Sequence, residues 1–424
     1  MQETIDPGAP VQAPRPVAAG RSALAGRRTR VALVGTGFIA DTHLEALREA
    51  PEVEVVALCD VVLERARAAA RRHGIRAAVA SLGELATLGI DVVHLCVPPD
   101  LHAPLARECL QLGLSVFVEK PLTLASDEAR ELFTLAEARG LVLGANHNAA
   151  FHPAFVRLEE RVRAGAIGRL EHVDVQLSVP LRQLEARDFS HWMFREPRNI
   201  VFEQAVHPFA QLVQLLGRPL EVHPLVLATR ELGPGQPFHE RWAVAARAEH
   251  GTAQLHFAFG ATFPQSTLSV RGSDGALAAD LLRNTLQEER KTPWLDFWDA
   301  YLAGARRGAA LIRDARAGLL QYLRQTLRLA PRGDAFYAGM RASIRAFHAA
   351  YRAGAAVPAG AREVEAVLAW CEACVRTLPA SRPAPALARE PRAARAGEVV
   401  VLGASVAGIT GCAGLPPVWE LGTK

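Results

Sequence analysis

VALVGTGFIA, residues 31–40, is an apolar strand running into a glycine-rich turn, and its reading decides the fold. Gly35-x-Gly37-x-x-Ala40 has the spacing in which one glycine makes a tight turn and the next lets a pyrophosphate approach the backbone. Ala40 is small enough for the third position, where a helix must pack closely on the strand. A helix from about Asp41 to Ala50 would follow, and the leading amides at Phe38 and Ile39 would face the phosphates. A second apolar run, Val53–Cys59, ends in Asp60, where an acid binds the adenosine ribose hydroxyls. Asp60 also repels a 2′-phosphate, so NAD is favoured over NADP, although Arg65 nearby can blunt that preference.

Downstream the alternation continues. DVVHLCV (91–97) is a continuous apolar strand leading into Pro98-Pro99-Asp100-Leu101-His102 and a helix over Ala103–Leu112. Leu114–Val118 delivers Glu119-Lys120-Pro121, and Leu141–Ala145 enters Asn146-His147-Asn148. Strands alternating with helices imply an α/β fold with a doubly wound parallel sheet and ligands at the strands' carboxyl ends. Gly35, Asp60, Pro98, Lys120 and Asn148 all fall at such ends and should converge on one crevice. Pro121 restricts Lys120 to extended conformations, so its ammonium is aimed rather than left to wander. The later runs, 171–179, 221–229, 241–249, 252–259 and 266–270, are joined mostly by short turns. They predict a second α/β domain with an open, mostly antiparallel sheet.

With VALVGTGFIA, VALCD, VHLCVPPDLHAPLARECLQLGLSVFVEKPL and FEQAVHPFAQLVQLLG in that order, the chain resembles the glucose–fructose oxidoreductase, inositol dehydrogenase and MocA family over about 30–380. The resemblance implies a disordered tail (1–29), an NAD(P)-binding Rossmann domain (30–147) and a substrate-binding and dimerisation domain (148–380). It also implies hydride transfer between nicotinamide and a carbinol or ketone carbon of a sugar, nucleotide sugar or polyol. Lys120 would stand beside the reacting carbinol, with a cis Lys120–Pro121 peptide. Glu119, Pro98 and His102 would line the nicotinamide end, with Asn148 close by. Glu203 and His207, four residues apart on one helix, would form the remaining catalytic pair, the carboxylate orienting the imidazole. Three departures point to a rebuilt substrate pocket: Glu203 replaces the usual aspartate, Ala210 stands where another aspartate is common, and Ala149-Ala150 replace a basic residue. A cofactor-binding sensor or scaffold without turnover is the alternative, and the retained Lys120 and His207 argue against it.

Asp188–Arg195 mixes aromatics with charge, which makes His191, Trp192 and Arg195 candidates for a sugar ring or base. The formal charge of +4 comes from the ends, since residues 1–30 carry +3 and 381–424 carry +2. The body is near −1, which argues against nucleic acid. The N-terminus lacks an apolar signal core, and a cytoplasmic homo-oligomer is expected. The six cysteines, including Cys371-x-x-Cys374, read as reduced core thiols, with no metal site. Residues 290–332 form a basic amphipathic helical segment, fit for an anionic membrane surface, for its own domain or for a second subunit, with subunit contact expected. Beyond a Pro/Ala/Arg linker, Glu398–Ser405 resembles the first strand of a sugar-epimerase Rossmann domain, so 381–424 reads as a linker and truncated fragment.

Overall fold

A computed structural model describes residues 27–290, 296–327, 329 and 333–378. Residues 1–26 of the expected tail, the linker and the epimerase-like fragment lie outside the described residues. The last three tail positions, 27–29, belong instead to the folded body, with Arg27 bonded to Asp91 at 2.7 Å and Thr29 opening the first strand.

The first unit alternates β1 (Thr29–Val34), α1 (Phe38–Arg48), β2 (Val53–Cys59), α2 (Leu63–His73), β3 (Ala77–Val79), α3 (Leu82–Ala86), β4 (Val92–Leu95), α4 (His102–Gln111), β5 (Ser115–Val118), α5 (Ser126–Ala138) and β6 (Leu143–Ala145). Its six strands are all parallel in the order β3-β2-β1-β4-β5-β6. The order reverses beside β1, between β1 and β4, which opens a crevice at their carboxyl ends. Continuous apolar runs explain why the central strands are covered on both faces: Val31, Leu33, Val93, Val116 and Val118 are all fully buried.

The second unit begins with α6 (Pro153–Arg163), β7 (Leu170–Val179), α7 (Arg182–Ala186) and α8 (Val206–Leu216). It continues through β8 (Pro219–Glu231), β9 (Pro237–Ala248), β10 (Gly251–Phe259), β11 (Gln265–Gly272), β12 (Gly275–Asp280) and β13 (Thr285–Arg290). The seven-stranded sheet runs β13-β12-β11-β7-β10-β9-β8. It is antiparallel except at its centre, where β7 and β10 pair in parallel. β12 and β13 extend the sheet past the strands read from sequence. Alternation along β10 buries Ala253, Leu255, Phe257 and Phe259 against α8 and α11 (Ala361–Val375) and leaves the intervening residues outward.

Two helices depart from the expected domain plan. α10 (Ala335–Ala353), read as part of the second domain, packs back on the first: Phe347 meets Phe117 with ring centroids 4.5 Å apart, and Ile344 and Tyr351 join the same cluster as Val31 and Leu33. A Cβ on Gly144 would sit 3.0 Å from the Phe347 ring, so β6 needs a glycine where α10 crosses it. The other is α9 (Asp296–Thr326), which lies along β13 with most of its apolar side chains in solvent. Cys371 and Cys374 are buried free thiols in α11, and no His/Cys/Asp/Glu group among the described residues could hold a metal ion.

Candidate active site

The glycine turn sits where β1 ends and α1 begins. Gly35 adopts φ +88°, and a Cβ there would lie 2.5 Å from the Cys96 carbonyl oxygen, so β4 approaches too closely for any side chain. Gly37 caps α1 with no side-chain hydrogen bond, and a Cβ on it would meet nothing within 4 Å. That open space and the uncapped amides fit a pyrophosphate. Asp60 accepts hydrogen bonds from the Thr36 hydroxyl (2.7 Å) and amide (3.1 Å), and from the Val62 amide at 2.9 Å. Partial burial pushes its pKa up, but these bonds and nearby Arg65 outweigh that and hold the carboxyl below its ordinary range. The acid is therefore ionised and fixed to the turn.

At the end of β5 the Lys120–Pro121 peptide is cis. The Lys120 ammonium donates to both the Glu203 carboxylate and the Glu203 backbone carbonyl, each at 3.0 Å. Glu203 lies in a π-helical turn, Val201–Ala205, immediately before α8. Its second carboxylate oxygen accepts from the Trp192 indole N–H at 3.0 Å. The expectation that Glu203 orients His207 is thus corrected: the carboxylate is shared between Lys120 and Trp192, and no bond joins it to the imidazole. His207, half-buried in the first turn of α8, has a buried Nε2 with no hydrogen-bond partner. Burial, then the Lys120 charge and His147, drive its pKa well below the usual histidine range. It is a neutral imidazole with a free ring nitrogen, held within the field of a fixed ammonium.

Other candidates take different places. His102 is fully buried with Nδ1 2.7 Å from the Pro121 carbonyl and Nε2 2.9 Å from the Val97 carbonyl. Both ring nitrogens are occupied, so it braces the Pro98–Leu101 loop against the Lys120–Pro121 peptide and does not line the nicotinamide end. Glu119 is buried behind Lys120, bonded to His43 and Asn146 at 2.7 Å each, so it too is a support and not a lining group. Trp192 is buried and serves Glu203; its ring is unavailable for sugar stacking. His191 accepts from the Met193 amide, and Arg195 reaches Asp100 of the first unit at 3.2 Å. Asn148 is buried in the short 3-10 turn after β6 and borders the same cavity as His207.

That cavity, of about 140 Å³, lies between α8 and the β7/β11 face of the second sheet. Gln204, Gln211, Ser178 and Thr267 are among its polar groups, beside Gln265, Ser266, His152 and the Asp334 carboxylate, and the sequence singled out none of these. Gln204 and Gln211 sit three before and four after His207 on one helix run, and that spacing was the available signal. No lysine or arginine is among the lining residues.

Residues 29–147 match the model of an oxidoreductase family with NAD-binding Rossmann fold, GFO_IDH_MocA, and 155–278 match the GFO/IDH/MocA C-terminal domain. The chain is 31% identical over 202 residues to a dTDP-3,4-didehydro-2,6-dideoxy-alpha-D-glucose 3-reductase of Streptomyces violaceoruber, covering 47% of this chain and 58% of the relative. It is 29% identical over 258 residues to the 1,5-anhydro-D-fructose reductase of Ensifer adhaerens, covering 58% and 74%. The chain therefore spans little more than half of the first relative's length. The WlbA dehydrogenase of Bordetella pertussis, solved with NADH and UDP-GlcNAcA, superposes with a TM-score of 0.65 at 19% identity, covering 83% of this chain and 96% of that one. With both domain models matched in order on a parallel NAD-binding sheet and a mixed second sheet, the chain belongs to the Gfo/Idh/MocA oxidoreductase family.

Proposed function

We propose that the chain is an NAD-dependent oxidoreductase acting on a CH–OH carbon of an uncharged sugar or cyclic polyol. The observation that carries this reading is the unpartnered His207 Nε2 beside the Lys120 ammonium, at a cavity furnished with amides and hydroxyls. NAD, when bound, supplies the hydride acceptor. The glycine turn and the leading amides of α1 would hold its pyrophosphate, and Asp60 its adenosine ribose. Lys120 donates a charge-assisted hydrogen bond to the reacting oxygen, and Glu203 with Trp192 fixes the ammonium in place. His207, neutral by burial, accepts the hydroxyl proton as the carbinol is oxidised, or returns it in the reverse direction.

The lining supports the uncharged substrate. Burying a diphosphate or carboxylate without a free cation costs several kcal/mol. Lys120, the one cation brought to the substrate, is already paired with Glu203, and Asp334 is among the lining residues. The cavity's amides and hydroxyls suit ring hydroxyls instead. A panel of neutral sugars and polyols, sugar acids and nucleotide sugars, followed by NADH absorbance, tests the reading. Turnover confined to sugar acids or nucleotide sugars would sink the neutral assignment, and no turnover with any member would sink the enzyme itself.

Cofactor choice gives a separate expectation. Asp60→Ser removes the charge that would face a 2′-phosphate and leaves Arg65 without its acidic neighbour. NAD binding should weaken and NADP binding strengthen by roughly tenfold each way, about 1.4 kcal/mol apiece. Titration of the wild type and variant with both cofactors checks it; a wild type that already prefers NADP would overturn the role given to Asp60.

A further inference from the structure

α9 is built inside out. At about 100° per residue, Trp298, Tyr301, Ile312, Leu319, Leu323 and Leu327 fall along one side of the helix, and all are exposed, Tyr301 by 63% and Leu327 by 66%. The opposite side carries Ala303, Asp314, Gly318, Gln321 and Gln325, and it is this polar, small-residue side, half-buried at Ala303, Asp314 and Gln325, that meets the body. There Asp314 accepts from the Leu286 amide at 3.4 Å, Arg307 pairs with Glu289, and Gln321 donates to the Gly333 carbonyl. A helix anchored only by its own domain would turn these faces the other way. Arg306, Arg313, Arg316 and Arg324 are exposed along the apolar side or its flank. Among the described carboxylates of the helix, only Asp299 borders that arc, about 20° from Arg306 at about 100° per residue.

We propose that the outward face of α9 docks on an anionic membrane surface. The apolar stripe would enter the interfacial layer with Trp298 and Tyr301 at headgroup depth, and the arginines would meet acidic headgroups. Charge complementarity selects this occupant over a second copy of the helix. A second α9 carries the same four arginines against the one bordering Asp299, so self-pairing sets an excess of like charges together around the seam. The contact is peripheral, since no described helix is long and apolar enough to cross a membrane.

The test is co-sedimentation of the full chain with sucrose-loaded vesicles, either pure phosphatidylcholine or with about 30% phosphatidylglycerol, at low and high salt. The chain should pellet with the anionic vesicles only and be released as salt rises, because surface charge is screened beyond about 8 Å at physiological ionic strength. An arginine near such a surface contributes about fivefold to partitioning, so R306Q/R313Q/R316Q/R324Q should lose on the order of several hundredfold. L319D/L323D changes exposed side chains, keeps the near-UV circular dichroism of the wild type and should also stay in the supernatant. Equal pelleting with both vesicle types, or none with either, overturns the proposal. So does a dimer in size exclusion that L319D/L323D splits while vesicles are ignored, which would assign the face to a second copy.

Discussion

Lys120→Ala should lower turnover by about 10²–10⁴-fold, the range for removing a positioned acid/base group, and leave NADH affinity within a few-fold of wild type. The reason lies in how little of Lys120 is free to do anything else. Its ammonium is pinned at 3.0 Å from both a carboxylate oxygen and the backbone carbonyl of Glu203. The pyrophosphate turn and Asp60 lie on other strands and do not depend on it. Stopped-flow NADH binding and steady-state rates with the best substrate of the panel separate the two effects. His207→Ala should cost a similar factor, and the double variant little more than either alone, because the two groups serve one proton and one oxygen. Additive losses would mean independent roles, and near-normal turnover in Lys120→Ala would remove the lysine from the chemistry.

How legible this was differs from one residue to the next. The turn at Gly35 and Gly37, Asp60 and Lys120 follow from local grammar: strand, glycine spacing, acid at the next strand's end, lysine locked by proline. Each is a short-range signal, and the structure places each where that grammar puts it. The partnership of Glu203 was misread for a physical reason. A regular helix sets residues i and i+4 on one face, but Val201–Ala205 is a π turn, and the carboxylate turns to Lys120 and Trp192. No propensity marks a π turn in advance. The family resemblance alone sets His102 and Glu119 at the nicotinamide end, whereas their burial makes them a scaffold for Lys120. α9 was read correctly as amphipathic, but amphipathicity does not say which side meets the body.

The sequence also gave no sign of a buried polar chain that joins residues 43, 94, 119 and 348. His43 Nε2 lies 2.7 Å from Glu119, His43 Nδ1 2.9 Å from His94 Nδ1, and His94 Nε2 3.0 Å from His348 Nε2. Two proton assignments satisfy all three contacts: donors run from His348 to a neutral His43, or the other way from a charged His43. The raised pKa of His43 selects the second. An imidazolium at His43 donates to Glu119 and to His94, and a neutral His94 donates onward to His348. Burial alone would pull His43 down, but the adjoining Cys96 sulfur and the Glu119 carboxylate override it and lift its pKa to about 10. Burial pushes His348 down to about 3 and His94 well below its usual range, so neither competes for the charge. Burial would raise Glu119, yet bonds from His43 and Asn146 hold it below the usual carboxylate range.

His43→Leu should therefore destabilise the fold by about 3–5 kcal/mol, since it strands a buried carboxylate. His43→Leu combined with Glu119→Leu should recover most of that loss, because an apolar pair replaces the ion pair without leaving a charge behind. The pH dependence carries the sign. A histidine raised from 6.5 to about 10 contributes stability that is full below 6.5 and fades as pH climbs toward 10. A carboxylate lowered from 4.5 contributes above 4.5 and fades as pH falls through its folded value. The gap in unfolding free energy between wild type and His43→Leu should accordingly be widest at about pH 5–6 and narrow steadily through pH 7–10. Urea titrations at four or five pH values measure it. A gap that stays constant from pH 6 to 10 would mean a neutral His43, and the proton assignment along the whole chain would have to be reversed.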